Sequence, residues 1–163
     1  MAADPADALL GVGDEAPDFE LPDSAGDRTR LSQLLEGRSG AVVFFFPKAF
    51  TSGCTTEVVD FGAHRDELDD AGLAVVGISR DDPARLAEFA QAHGGPLLLS
   101  DADRAVHRAY GVLAVREADG EPAEKVRRST FLLGPDRRVR RAWYDVSVDG
   151  HVLDVAGASV DEG

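Results

Sequence analysis

Six consecutive apolar residues, Ala41-Val-Val-Phe-Phe-Phe46, are closed off by Pro47. No polar residue alternates within the run, and it is rich in β-branched and aromatic side chains. That composition predicts a strand buried on both faces. Leu73-Ala-Val-Val-Gly-Ile78 is a second run of the same kind. Between the two, Val58, Phe61 and Leu68 fall on one helical face, predicting a helix over about 53–70 that starts near Cys54 and is stopped by Gly72.

The rest of the chain extends this alternation. Asp82-Pro83 opens a helix with Leu86, Phe89 and Ala90 on one side, ending by Gly94-Gly95. Pro96 to Leu99 reads as a short strand and Asp101 to Tyr110 as a short helix before Gly111. Residues 116–125 are polar and are expected to form a loop. Ser129 to Leu133 and Val139 to Tyr144 read as a hairpin around Gly134-Pro-Asp136, with one of Trp143 and Tyr144 in the core and the other at the surface or an interface. Upstream, Phe19 and Leu21 suggest a short strand and Leu31 to Leu35 one helical turn. Residues 1–16 read as a loose acidic leader, and the tail from about 150 to 163 as weakly structured. Gly11-Val-Gly-Asp14 has neither a strand before it nor a helix pattern after it, so it is not a nucleotide loop. The order predicts an α/β fold of thioredoxin-like topology, a mixed central sheet flanked by helices, in a single domain spanning residues 1–163.

Composition narrows the function classes. Seventeen Lys and Arg against 30 Asp and Glu leave a net charge of −13, which repels phosphate backbones and anionic lipid, so no nucleic-acid or membrane partner is expected. No apolar run approaches the roughly 20 residues of a membrane-spanning helix, and the acidic start lacks the marks of a secretion signal. A cytoplasmic location is the expectation. The chain has one cysteine, Cys54. It therefore has no internal disulfide and no Cys-x-x-Cys pair. The four histidines (His64, His93, His107 and His151) lack metal-ligand spacing and read as surface or supporting groups, so neither a metal nor a cofactor is expected.

The informative segment is Phe46-Pro47-Lys48-Ala49-Phe50-Thr51-Ser52-Gly53-Cys54-Thr55-Thr56-Glu57. Taken singly, its residues have ordinary readings. A lone Cys is commonly a small buried hydrophobe, Thr51 suits a helix cap, Pro47 ends a strand, and Glu57 suits a capping box. The setting of Cys54 points elsewhere. It follows a buried strand and sits at the predicted first turn of a helix, where unpaired N–H groups and the helix dipole favour a thiolate.

Together, Pro47-x-x-x-Thr51-x-x-Cys54 after an apolar strand resembles the active-site signature of the peroxiredoxins, the alkyl hydroperoxide reductase and thiol-specific antioxidant family. The longer string looks most like the bacterioferritin-comigratory, or Q-type, branch, with the single-Cys alkyl hydroperoxide reductase E type next. The likeness continues in Gly13-Asp-Glu-Ala-Pro-Asp-Phe19, Leu99-Ser-Asp101, Tyr110-Gly-Val112 and Arg128-Ser-Thr-Phe-Leu-Leu133. It implies a peroxidase acting on hydrogen peroxide and organic hydroperoxides. Cys54 would be the nucleophile, Arg128 the cation that holds thiolate and peroxide, Thr51 a hydrogen-bond partner of the peroxide, and Pro47 a shield against water. Glu57 would orient Arg128. Arg127 and Arg128 are strand neighbours and point to opposite faces; the resemblance selects Arg128.

Many Q-type members carry a second, resolving cysteine five residues after the nucleophile, where this chain has Val59. The resemblance therefore implies a one-Cys cycle in which an external thiol attacks the sulfenic acid. Thioredoxin, a glutaredoxin-like protein or a low-molecular-weight thiol fits that role. A monomer or weak homodimer is expected, since a charge of −13 opposes close association at low salt. Two other readings stay open: a thiol-based redox sensor signalling through Cys54 oxidation, and a non-catalytic thioredoxin-like binding module. A cysteine phosphatase would need Arg where Asp60 stands, and a disulfide exchanger would need a second Cys.

Overall fold

The computed structural model describes residues 10–49, 51–94, 96–118, 120–144, 146, 151, 152, 154, 155 and 157. Strands β1 (Glu20–Pro22) and β2 (Arg28–Arg30) pair antiparallel, and α1 (Leu31–Leu34) follows directly. β3 (Gly40–Phe45) is the unbroken apolar run, buried at every position. After it come α2 (Ser52–Ala63), α3 (Arg65–Asp70), β4 (Leu73–Ser79), α4 (Pro83–His93), β5 (Leu97–Ser100) and α5 (Ala105–Ala109). A hairpin of β6 (Leu113–Ala118) and β7 (Glu121–Val126) precedes β8 (Ser129–Leu133) and β9 (Val139–Trp143).

The main sheet has the order β5-β4-β3-β8-β9. β3 runs parallel to β4 and antiparallel to β8, so the sheet is mixed and the fold is α/β and thioredoxin-like. β3 lies at its centre, which accounts for the double-sided burial. Alternation along the strand then assigns the two cores. Val42, Phe44 and Phe46 pack with Val58, Phe61, Leu86 and Phe89 under α2 and α4. Ala41, Val43 and Phe45 pack with Phe19, Leu31, Tyr110 and Phe131 on the other face. Gly77 makes room for the first of these layers, since a Cβ there would meet the Phe44 ring at 2.5 Å. Phe44 in turn stacks on Phe61 of α2, with ring centres 4.4 Å apart. The aromatic layer thus seats α2, and with it Cys54, on the sheet.

Several elements differ from the sequence reading. The helix expected over 53–70 starts at Ser52 and is broken at His64 into α2 and α3. Gly62, a weak helix former, occupies the last turn of α2. The helix expected over 101–110 is only α5, because Asp101 stands outside it and accepts hydrogen bonds from the backbone N–H groups of Val106 (3.3 Å) and His107 (2.8 Å). The loop expected at 116–125 belongs instead to the β6–β7 hairpin, whose last pair is Ala118 with Glu121. Gly120 takes a φ of 78°, the left-handed conformation such a turn needs. Trp143 and Tyr144 are both half-buried, one against each core.

At the ends of the chain, Ala16 of the expected leader is fully buried. His151, Val152, Asp154, Val155 and Gly157 are helical, with His151, Val152 and Val155 buried. The remainder of the expected leader before residue 10 and of the tail beyond 157 lies outside the described residues. Among the described residues, no helix is long and apolar enough to cross a membrane.

Candidate active site

The buried stripe of α2 reads Cys54, Glu57, Val58, Phe61. These positions are spaced i, i+3, i+4, i+7, the spacing of one helical face. Because α2 begins at Ser52, Cys54 is its third residue and lies in the first turn, where backbone N–H groups have no partner within the helix. Its side chain is fully buried, with 0% of its surface exposed.

One cation reaches this sulfur. Arg128, just before β8, donates from Nη2 to Cys54 Sγ at 3.2 Å and from Nη1 to Glu57 Oε1 at 2.8 Å. Burial opposes the charge of Arg128, but Glu57 and Cys54 outweigh it and hold the guanidinium's pKa above its ordinary value. Three charge-bearing groups therefore lie in a row, with the arginine between carboxylate and sulfur. The backbone on either side of Arg128 is fixed as well. Arg127 N–H donates to the Val112 carbonyl at 2.7 Å, and the Arg128 carbonyl accepts from Val146 N–H at 3.0 Å.

Glu57 is the costly member. Burial pushes its carboxyl up from 4.5 to about 7, against the downward pull of Arg128. Burying an ion is tolerated only with a close partner, and the apolar neighbours Val58 and Phe61 keep this helix face down. Glu57 Oε1 has its partner in Arg128, whereas Oε2 is buried and, among the described residues, has no hydrogen-bond partner.

Thr51 and Pro47 lie on the segment that leads from β3 into α2. Thr51 caps α2 with its backbone, and its hydroxyl donates to the Lys48 carbonyl at 2.7 Å, not to Sγ. Pro47, directly after β3, lines a shallow depression together with Lys48, Arg80, Asp81, Ala102 and Arg104. Asp81 anchors this segment. Its Oδ2 accepts from the backbone N–H of Ala49 and from the Ser79 hydroxyl, each at 2.8 Å.

The sequence reading passed over Asp81 and read His151 only as a surface or supporting group. His151 is 4% exposed, with Nε2 2.8 Å from Thr130 Oγ1 and 4.0 Å from Glu57 Oε2. The signal for its burial is the spacing His151, Val152, Val155, a short helical face. His107, also read as a surface or supporting group, is fully buried, with Nδ1 2.6 Å from Asp101 Oδ2. Among the described residues no group of three or more His, Cys, Asp or Glu side chains is clustered to hold a metal.

Comparison with known proteins follows the same lines. Residues 12–142 match the AhpC/TSA family. The peroxiredoxin Bcp of Xanthomonas campestris is 38% identical over 153 residues, covering 93% of this chain and 94% of that one. The solved structure of Xanthomonas campestris peroxiredoxin Q superposes with a TM-score of 0.83 at 36% identity, covering 94% of this chain and 96% of the other. The peroxidoxin BcpB structure from Mycobacterium tuberculosis gives a TM-score of 0.81 at 37% identity, covering 93% of this chain and 97% of the other.

Proposed function

This chain belongs to the AhpC/TSA family and is a peroxiredoxin of the Bcp and Q kind, and from that premise we propose that it reduces peroxides by a one-Cys cycle at Cys54. The enzyme is a peroxidase. The observation that supports Cys54 as the reacting group is the guanidinium of Arg128, which donates both to Cys54 Sγ and to the buried Glu57.

The Cys54 thiolate attacks one peroxide oxygen, a sulfur–oxygen bond forms, and the O–O bond breaks in line. The departing alkoxide or hydroxide takes up a proton, leaving a sulfenic acid on Cys54. Arg128 is permanently charged and stays on the sulfur while negative charge moves onto the peroxide oxygens, and a preorganised donor of this kind is worth about 10²-fold or more in rate. The Thr51 hydroxyl has its proton committed to the Lys48 carbonyl, so its lone pairs are the part that accepts from the peroxide O–H. Pro47 shields the approach from water, and Glu57 fixes the plane of Arg128.

Cys54 is the sole cysteine of the 163 residues, and Val59 occupies the position of the resolving cysteine in many Q-type relatives. An external thiol therefore condenses with the sulfenic acid, releasing water and leaving a mixed disulfide, and a second thiol releases Cys54. Thioredoxin, a glutaredoxin-like protein and a low-molecular-weight thiol are the chemical classes that fit. The acidic chain works as a monomer or weak homodimer.

The test supplies these thiols one at a time and follows peroxide loss, with mass spectrometry of the chain after one equivalent of hydrogen peroxide. One added oxygen, absent in Cys54→Ser, and turnover only with a thiol present are the expected results. Sustained turnover without thiol, or oxidation of Met1 with Cys54 still reduced, overturns the cycle.

A further inference from the structure

The pairing of Glu57 with Arg128 leaves one carboxylate oxygen out. Glu57 Oε2 is buried and, among the described residues, meets no hydrogen-bond donor. Standing 4.0 Å from it is Nε2 of His151, a buried residue of the helical tail whose same nitrogen lies 2.8 Å from Thr130 Oγ1. Neither His151 nor Thr130 takes part in the steps above. We propose that His151 is a positioning residue for peroxide reduction: its ring backs Glu57 from the tail side and, through Glu57, keeps the Arg128 guanidinium on Cys54. The inference rests on the role given above to Arg128.

A carboxylate oxygen left unpaired in an apolar surround disfavours the charged form. A ring N–H facing that oxygen favours it again, and at 4.0 Å it does so without taking Arg128's place as hydrogen-bond partner. On this proposal the proton is on Nε2, whose N–H donates to Thr130 Oγ1 and leaves the positive edge of the ring 4.0 Å from Glu57 Oε2. The edges of Trp143 and Phe61 bracket the ring, with centres 6.0 and 6.4 Å away. The charged groups facing this pair are Asp60 on α2, Arg128 before β8 and Asp154 on the tail. Burial pushes the His151 pKa down, with Asp154 pulling it up and Arg128 pushing it further down, so the ring is neutral near pH 7 and acts as a dipole. Glu57, pushed up to about 7 by burial, changes charge in the same range. Charged, it grips Arg128; protonated, it releases it.

The test measures the rate of peroxide oxidation of Cys54 divided by its rate of alkylation by iodoacetamide, from pH 5.5 to about 8.5, a window spanning the Glu57 titration. The full chain is compared with His151→Phe, which keeps a ring of similar size, with His151→Gln, which offers an amide N–H, and with Arg128→Ala. In the native chain the ratio rises as Glu57 ionises. In His151→Phe the midpoint moves up by about one pH unit and the ratio at pH 7 falls about five-fold, while His151→Gln restores most of it. If His151→Phe does not fold, Thr130→Val, which removes the hydroxyl that orients Nε2, shows the same upward shift. A midpoint that stays or moves down overturns the assignment of His151. If Arg128→Ala leaves the ratio untouched, the role of Arg128 fails instead, and the inference with it.

Discussion

Arg127 and Arg128 are adjacent in the chain and serve opposite faces of the sheet. The Arg127 guanidinium lies over the Tyr144 ring, 5.3 Å from its centre, whereas Arg128 reaches Cys54 Sγ at 3.2 Å. The two differ by one residue of register and by everything that follows from it.

Their alanine variants therefore separate catalysis from mere thiol reactivity. If Arg128 plays its proposed role, Arg128→Ala lowers the peroxide-to-iodoacetamide rate ratio at Cys54 by about 10²-fold, because a transition-state donor is lost beyond any change in ionisation. Arg127→Ala leaves the ratio within about two-fold, since its guanidinium lies over the Tyr144 ring on the other face. Stopped-flow measurement of both rates checks this, and the reverse pattern moves the site to the other face.

Thr51 is tested through its hydroxyl alone. Thr51→Val keeps the shape and removes the oxygen proposed to accept from the peroxide, so the same rate ratio is expected to fall about 10-fold or more, while Thr51→Ser stays close to native. A loss in Thr51→Ser with Thr51→Val close to native would mean that the methyl group, not the oxygen, matters.

Glu57 makes a prediction about stability with a definite sign. Its carboxyl is pushed up by burial from 4.5 to about 7. Between those values the folded chain keeps a proton that the unfolded chain has released, so this group's contribution is full below about pH 4.5 and is lost as the pH rises through 7. Glu57→Gln cannot titrate. Measured by urea unfolding, its stability relative to the native chain rises by about 2–3 kcal/mol from pH 4.5 to pH 8. A difference that does not change with pH contradicts the burial of an ionisable Glu57.

Asp81 holds the segment ahead of α2 through the Ala49 N–H. Ala49 is 1% exposed, so Asp81→Ala leaves a buried donor unmade and lowers stability by about 1–3 kcal/mol. Asp81→Asn retains an acceptor oxygen and loses less. Thermal unfolding of the two variants at one pH reads the difference.

The parts legible in the sequence are those whose cause is local. An unbroken apolar run closed by Pro47 has one physical reading, and β3 lies at the sheet centre accordingly. The β6–β7 hairpin hides because both of its strands carry charged residues and Pro122 interrupts the second; only the Asp119-Gly120 pair signals the turn. The meeting of Arg128 with Cys54 spans 74 positions, and no local pattern encodes it. The family likeness is what pointed to that arginine. His151 has no such pointer, since the segment around it, cut by Asp154 and Gly157, gives only a weak helical pattern.

A sulfur with none of its surface open sorts its visitors by size. Hydrogen peroxide is two oxygen atoms long and needs only a narrow gap beside a guanidinium. On the proposed one-Cys cycle, a thiol borne on another protein would need the opening turn of α2, from Ser52 to Cys54, to give way first. On the proposed cycle the demand on the fold is therefore unequal, small for the oxidant and larger for a protein-borne reductant. If that cycle holds, mild loosening of that one turn, by warmth or dilute urea, is expected to speed the return step before it harms the forward one.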